Sequence, residues 1–563
     1  MTKILGVSCY YHDAAAALVE DGRVVVAAEE ERFTRRKHDS GFPRNAIRFC
    51  LDYTRTSARE VDGVIFYDKP LKKLERALVI AKEYGSVAVE GADWHLRNYV
   101  HRESRLTEDL HEVLGAAPPV RFCEHHLSHA ASAFYASPFE TAAILTVDGV
   151  GEWATTGVYV GEGAAIRQLK EIRYPNSLGL YYAAMTAYLG FEVNEGEYKV
   201  MGLASYGEPT FDDEVRRLLH LHEDGSFENN LEYFSYAYDE KRMYAQPLID
   251  LLGPPRDPTE PVTERHRNIA ASMQKLCEEA LINLARSVRD ETGLANLCMA
   301  GGVAHNVVAN SRILEESGFA DLWIQPASGD SGGAVGSALY AYHATGAPRR
   351  PAADYDTCLG PSFSNEIIEE VLRDFGADYE RLEEAELVAR TADLISQNLV
   401  VGWFQGRMEF GPRALGCRSI LANPCEASMK ETLNARIKFR EQFRPFAPAA
   451  LEEFAGEYFE HQGASPFMLY CPRVRPDKTS VIPAVTHVDG TARVQTVSRT
   501  MNPRFHALIE AFRQRSGVPV VINTSFNVKG EPIVCTPSDA LKCFYGTDID
   551  ALAIGDFIVW KSF

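Results

Sequence analysis

A three-strand pattern occurs twice in this chain, about 140 residues apart, and few folds accommodate such a repeat. Lys3–Ser8 is apolar and extended, and Ala15–Glu20 and Arg23–Glu29 flank Asp21-Gly22, a strong hairpin signal. Pro43–Tyr53 then has a helical pattern. The same order returns with Thr141–Val147, Thr155–Val160 and Ala165–Arg173, and ILGVS at Ile4 parallels ILTVD at Ile144. Two such units, each completed by helices, describe a duplicated α/β domain with a cleft between its halves.

With 563 residues the chain is too long for one core, and two to four domains are expected. Apolar residues at 46% and charged residues at 24% are ordinary for a globular protein, which excludes global disorder. Lys plus Arg number 58 against 78 Asp plus Glu, a net charge of −20. Such a surface repels polyanions, so neither nucleic acid nor an anionic membrane is an expected partner. No apolar run reaches membrane-spanning length, and the N-terminal stretch lacks a signal-peptide core. Eleven scattered cysteines, with no C-x-x-C pair, suggest reduced thiols in a cytoplasmic protein.

Downstream, Thr263–Thr292 has a long amphipathic helix pattern. Asn296–Ala300 and Asp321–Pro326 read as strands, Val303–Gly318 as a helix, and a Gly-rich turn precedes a helix from about Ala334 to Ala344. Gly346–Asp354 is rich in Pro and polar residues and reads as the linker, dividing the chain into domains 1–350 and 351–563. Helix patterns at Ser364–Phe375 and Glu383–Asn398 and a strand at Leu399–Phe404 open the second domain.

Five motifs can carry chemistry. His125 and His129 lie four apart and share one face of a helix, suiting a divalent ion, with Asp148 and Asp330 at expected strand ends nearby. Three partly exposed helix histidines would give the same spacing. The loop Gly329-Asp330-Ser331-Gly332-Gly333 matches G-x-S-x-G by accident, because small residues intervene where a nucleophile elbow needs a tight turn after a strand. It reads better as a Gly-rich turn with Asp330 on a metal. Gly301, Gly302 and Asn306 sit between strand and helix, where glycines admit a nucleotide or simply allow tight packing. Lys199, beside Gly196 and Gly202, is either a phosphate contact or an exposed loop lysine. From Trp403 to Phe446 there are eight Lys/Arg against four Asp/Glu, among them Arg413, Lys438 and Arg444. Arg493, Arg499 and Asn523-Thr524-Ser525-Phe526-Asn527 add donors downstream. Guanidinium groups bind phosphate bidentately, so this reads as a pocket for phosphate-bearing substrates or as a basic surface patch.

Taken together, these stretches closely resemble the O-carbamoyltransferase family of the nodulation-protein-U, cephalosporin and tobramycin carbamoyltransferase type. The matching segments run in family order: HDAAAALVEDG at His12, EEERFTRRKH at Glu29, HHLSHAASAF at His125, EGEYKVMGLASYG at Glu195 and MAGGVAHN at Met299. They continue with GDSGGAVGSAL at Gly329, GRMEFGPRALGCRSIL at Gly406, KFREQFRPFAP at Lys438 and NTSFN at Asn523. The resemblance implies an N-terminal duplicated actin/Hsp70/sugar-kinase-like domain of the tRNA threonylcarbamoyltransferase type and a C-terminal YrdC-like α/β domain. It implies that carbamoyl phosphate and ATP form carbamoyl adenylate in the C-terminal domain. The carbamoyl group then passes, at a divalent metal expected to be Fe(II), to a hydroxyl of a small acceptor such as an antibiotic or another secondary metabolite. By position His125, His129, Asp148 and Asp330 match the metal ligands and His12 the general base. Arg413, Lys438, Arg444 and Arg493 match the anion-binding residues, with Ser525 and Asn527 beside them. A homodimer is the oligomer the family suggests.

The chemistry expected of such an enzyme is consistent. A carbamoyl carbonyl is a poor electrophile, and the mixed anhydride with AMP supplies a good leaving group. His12 is expected to be a near-neutral imidazole able to take the acceptor proton. An ATP-dependent sugar kinase or chaperone-like protein on the same actin-like fold is the alternative; it leaves the basic second domain and the paired histidines without a role. A metal-dependent or serine hydrolase rests only on accidental motif matches.

Overall fold

The computed structural model describes residues 1–115, 118–239, 242–349, 351, 355–461 and 463–561. The chain forms two compact units, Met1–Glu30 with His38–Tyr355, and Glu31–Lys37 with Asp356–Phe563.

The first unit contains the repeat. Strands β1 (Lys3–Ser8), β2 (Ala15–Glu20), β3 (Arg23–Glu29), β4 (Gly63–Phe66) and β5 (Val120–Phe122) form one sheet in the order β3-β2-β1-β4-β5. Strands β6 (Thr141–Val147), β7 (Ala154–Glu162) and β8 (Ala165–Arg173) pair in a second sheet with β11 (Asn296–Ala300) and β12 (Asp321–Ile324), in the order β12-β11-β6-β7-β8. Between them, β9 (Leu219–Leu221) and β10 (Phe227–Asn229) make a separate ribbon. Each five-stranded sheet has the same wiring. Its first strand is antiparallel to the second and parallel to the fourth, and the fourth is parallel to the fifth. This is the duplicated arrangement of actin/Hsp70/sugar-kinase-like proteins. The central strands are buried on both faces, as the unbroken apolar runs in β1 and β6 require.

Two local readings change. The helix expected from Ala334 begins at Asp330 and runs to His343. Its glycines are packing residues inside the helix, not a turn: a Cβ on Gly336 would lie 1.8 Å from Ser128 O, on the His125–Phe134 helix, and one on Gly333 would meet Tyr67. Gly6 of β1 is equally close to Ala334 O. Small residues therefore let this helix lie against both the metal-motif helix and the first sheet. Gly336→Val is expected to cost about 3 kcal/mol. Urea unfolding should show an early loss of the first unit, and a midpoint unchanged from wild type would refute the packing role. The second change is the helical block Pro70–Tyr84, Val89–His101 and Leu106–Leu114 between β4 and β5, which the sequence reading left unassigned.

Residues 350 and 352–354 of the expected linker lie outside the described residues. Just before them Arg349 is buried, its guanidinium bonded to the carbonyls of Phe134, Ser137 and Phe139. The start of that segment is therefore docked on the first unit.

In the second unit one eight-stranded sheet has the order β13-β20-β19-β14-β15-β18-β16-β17. Its strands are β13 (Asp378–Arg381), β14 (Val401–Phe404), β15 (Arg418–Ala422), β16 (Ala447–Leu451), β17 (Gln495–Val497), β18 (Val520–Ser525), β19 (Ala551–Ile554) and β20 (Phe557–Trp560). Trp403, Phe404, Phe446, Phe505 and Phe512 fill its core. Strand β18 runs antiparallel to β15 and β16, and β16 parallel to β17. The chain entering β15, β16 and β17 and leaving β18 therefore emerges at one edge of the sheet. That edge receives Arg413, Arg444, Arg493, Ser525 and Asn527.

Glu31–Lys37 groups with this unit rather than with its sequence neighbours. Arg32 donates to Gly411 O at 2.9 Å, and Arg35 donates to Pro532 O and Ile533 O, each at 2.7 Å.

Candidate functional site

The His125–Phe134 helix is short and buried, and its first turn carries the chemistry. Glu152 accepts the His125 backbone N–H and the Lys69 N–H, closing the helix N-terminus with a carboxylate. His125 Nε2 and His129 Nε2 are 3.1 Å apart and each lies 3.0 Å from Asp148 Oδ2. Asp330 Oδ1 lies 3.6 Å and 3.7 Å from the same two nitrogens. The other oxygen of Asp148 is held by the N–H groups of Gly149 (2.8 Å) and Gly302 (3.1 Å). Tyr67 donates to Asp330 Oδ2 at 3.3 Å and stacks edge-on against His125.

These four donors fit a metal ion. Atoms bound at about 2.1 Å lie roughly 3.0 Å apart at right angles and 3.4 Å apart at tetrahedral angles. The observed separations bracket those values, and all four donor atoms fall within 4.8 Å of one another. Burial opposes ionisation of Asp148, yet hydrogen bonds from His125 and His129 hold its carboxyl well below the usual range. Burial disfavours the charged His129, but Asp148 and Asp330 outweigh it and raise its pKa to about 9. A divalent cation would displace those protons and satisfy the same carboxylates.

His126, between the two, is not part of the donor set. Its Nδ1 bonds Thr146 Oγ1 at 2.8 Å, and burial, reinforced by its histidine neighbours, lowers its pKa to about 3. The ring stays neutral in the folded chain but takes a proton at about 6.5 when unfolded. It therefore stabilises the fold fully above pH 6.5, and this contribution is lost as pH falls toward 3. Urea titrations at pH 7.5 and 5.0 should show a smaller pH-dependent loss in His126→Asn than in wild type; equal losses would refute the assignment.

His12 faces the same group. Its Nε2 is 3.9 Å from Asp330 Oδ2, and its Nδ1 is 3.0 Å from Asp13 Oδ2. His38 Nδ1 in turn bonds Asp13 Oδ1 at 2.7 Å. Burial alone would lower the His12 pKa, but Asp330, Asp13 and Asp148 together raise it to about 10. With those carboxylates uncompensated, the near-neutral imidazole expected from sequence is not what this arrangement gives.

The Gly-Gly turn serves the same cleft. Gly301 has φ +95°, and a Cβ there would lie 2.2 Å from Val147 O, so the turn packs directly on β6. Gly302 N–H holds Asp148. Asn306 caps the Val307–Glu316 helix through Ala309 N–H, and its amide exchanges two hydrogen bonds with Gln274. Lys199 stands on the helix Glu197–Ala204, not in a loop, with Nζ 5.9 Å from the Tyr198 ring centroid. Ser331 is buried in the first turn of the Asp330 helix, which is no nucleophile elbow.

In the second unit Lys438 is buried, and its ammonium donates to Ser525 O (2.7 Å), Ser525 Oγ (3.3 Å), Asn527 O (2.9 Å) and Asn527 Oδ1 (2.7 Å). All four are neutral oxygens. Burial, with Arg440 and Arg444 nearby, pushes its pKa well down. Burial and Arg444 likewise lower Arg493 to about 10. The buried Nε of Arg493 has no hydrogen-bond partner among the described residues. Lys438 and Arg493 have no carboxylate partner among the described residues, whereas Arg444 Nη1 lies 3.8 Å from Glu441 Oε2; desolvated cations of this kind can receive an anion. Arg413 reaches the same sheet edge by topology. Sequence reasoning missed Glu152, Tyr67, Asp13 and His38, none of which carries a recognisable spacing.

The chain is thus a two-unit α/β protein with one cluster of side chains able to hold a metal ion and one cluster of cations. Residues 3–339 match the family described as carbamoyltransferase N-terminus and residues 392–561 that described as carbamoyltransferase C-terminus. The chain belongs to the carbamoyltransferase family and is a carbamoyltransferase. It is 46% identical to an uncharacterized protein of Synechocystis sp., over 100% of this chain and 97% of that one. It is 38% identical to nodulation protein NolNO of Sinorhizobium fredii, over 98% and 79% of the two chains. With nodulation protein NolO of Bradyrhizobium diazoefficiens it shares 42% identity over 78% of each. Among solved structures, (R)-2-hydroxyglutaryl-CoA dehydratase component A of Acidaminococcus fermentans aligns over 62% of this chain and 100% of its own. The identity is 12% and the TM-score 0.32. Among the described residues, no helix is long and apolar enough to cross a membrane.

Proposed function

We propose that this carbamoyltransferase is ATP-dependent and works in two steps on a small hydroxylated acceptor. The observation that carries the first step is the desolvated pair Lys438 and Arg493, neither bonded to a carboxylate among the described residues, with Arg444 and its Glu441 partner nearby. Carbamoyl phosphate loses orthophosphate to water, leaving carbamate. A carbamate oxygen attacks the α-phosphorus of ATP, the bond to pyrophosphate breaks, and carbamoyl adenylate forms. Lys438 and the arginines neutralise the two anions as they approach and the charge that grows on the departing pyrophosphate. Ser525 and Asn527 fix the ammonium so that it need not reorganise.

In the second step the acceptor oxygen attacks the carbamoyl carbon and AMP leaves. His125, His129, Asp148 and Asp330 would hold the ion. A first-row divalent ion suits two imidazoles and two carboxylates, and Fe(II) is our assignment. When bound, it would polarise the carbonyl as a Lewis acid and cancel the carboxylate charge that otherwise keeps His12 protonated. His12 Nε2 then takes the acceptor's hydroxyl proton, while Asp13 orients the ring through Nδ1. The acceptor belongs to secondary metabolites in this reading.

The test is mass spectrometry of reactions containing ATP, carbamoyl phosphate and a panel of hydroxylated natural products. A gain of one carbamoyl unit on an acceptor, with AMP formed, is expected. Transfer without ATP would refute the adenylate, and phosphate on the acceptor would indicate a kinase.

A further inference from the structure

We propose that Glu409 is a positioning residue of the anion site, which fixes the loop carrying Arg413 by gathering that loop's amide protons on one carboxylate oxygen. The functional part of this inference rests on the adenylate-forming reading above. Glu409 is buried, and its Oε1 accepts the N–H groups of Leu415 (2.6 Å), Cys417 (2.7 Å) and Arg418 (3.3 Å). The loop's carbonyls are held as well. Asn523 Nδ2 donates to Ala414 O at 3.1 Å, Gln495 Nε2 to Leu415 O at 2.8 Å and Trp403 Nε1 to Gly416 O at 2.9 Å.

These buried side chains also join the segments that bear the cations. Asn523 Nδ2 donates to Gln495 Oε1 at 2.7 Å. Gln495 follows Arg493 by two residues, and Asn523 precedes Ser525 by two in β18. The Arg413 loop, the Arg493 segment and the Ser525 strand end therefore share one hydrogen-bonded support beneath the site. The path of the loop leaves little slack, since Gly416 has φ +108° and a Cβ there would lie 2.3 Å from the Phe505 ring.

Three converging N–H groups need an acceptor oxygen at the right reach, and Glu409 Oε1 provides it. Removing it leaves three buried donors unsatisfied, so the loop must rearrange to find water or another acceptor. Cations meant to meet a transition state lose their effect when their support loosens.

The full-length protein carries the test, through Glu409→Ala, Glu409→Gln and Glu409→Asp. In Glu409→Ala the amides of Leu415, Cys417 and Arg418 should exchange with deuterium at least about tenfold faster, while β18 amides stay protected. Affinity for inorganic pyrophosphate, measured by calorimetry, should fall about tenfold or more, and the KM for carbamoyl phosphate should rise in parallel. Glu409→Gln keeps an oxygen at the same reach and should recover most of both losses. Glu409→Asp keeps the charge but retracts it by about 1.5 Å, and should not. Should Glu409→Ala fail to fold, the Gln and Asp variants decide alone. Recovery by Asp and not by Gln would overturn the proposal, as would fast loop exchange with unchanged pyrophosphate affinity. A wild type that releases no pyrophosphate with carbamoyl phosphate would sink the adenylate reading instead, because exchange and pyrophosphate binding require no turnover.

Discussion

Lys438→Ala should abolish carbamoyl-phosphate-dependent release of pyrophosphate from ATP, with a loss of about 10³-fold or more. The size follows from the setting. An exposed lysine contributes a screened charge, but this ammonium is buried among neutral oxygens with arginines for neighbours. Its attraction for an incoming phosphate is therefore weakly screened. Lys438→Arg should not rescue, because the four oxygens at 2.7–3.3 Å enclose a compact ammonium and not a planar fork. The pH profile has a definite sign as well. A lowered lysine pKa means that the free enzyme loses this charge, and with it the half-reaction, as pH rises through a value below the ordinary lysine range. Pyrophosphate release that survives in the alanine variant would show that the cation cluster serves something else.

How much of this could be read from the chain alone differs between its two halves. The strands of the repeat were legible because β1, β2, β6 and β8 are short apolar or alternating runs bounded by turn residues, which is local information. The histidine pair was legible because four residues on a helix fix a common face. Asp148 and Asp330 are different: they reach the pair only because the two repeats place a strand end and a helix start at one cleft. No spacing encodes that; their expected place at cleft-facing strand ends suggested them, and the family resemblance named them as ligands. The glycines after Asp330 misled because Gly is ambiguous in sequence. It signals a turn, yet here it thins a helix so that Ser128 O can approach Gly336. Glu409 was silent for a related reason. A lone carboxylate in a Gly-Pro-rich loop looks like surface, and only the fold shows three N–H groups pointing at it.

His129→Ala should uncouple the two steps. Wild-type protein should carry about one divalent ion per chain after reconstitution, and the variant should retain little of it. The reason is geometric. His129 Nε2 is in contact with His125 Nε2 and Asp148 Oδ2, so its loss opens the donor set on its buried side. It leaves Asp148 and Asp330 with one imidazole between them. Transfer to the acceptor should fall about 10³-fold, the share of the barrier a Lewis acid at a carbonyl supplies. Formation of carbamoyl adenylate should persist, since Lys438, Arg444 and Arg493 belong to the other compact unit. The measurement pairs metal analysis with two assays on one preparation, pyrophosphate release and acceptor carbamoylation. A variant that lost both would point to a folding defect, which Asp148→Asn, isosteric with the native side chain, would separate from loss of the ion. Transfer at the wild-type rate in metal-free His129→Ala would remove the ion from the chemistry and leave His12 to act without it.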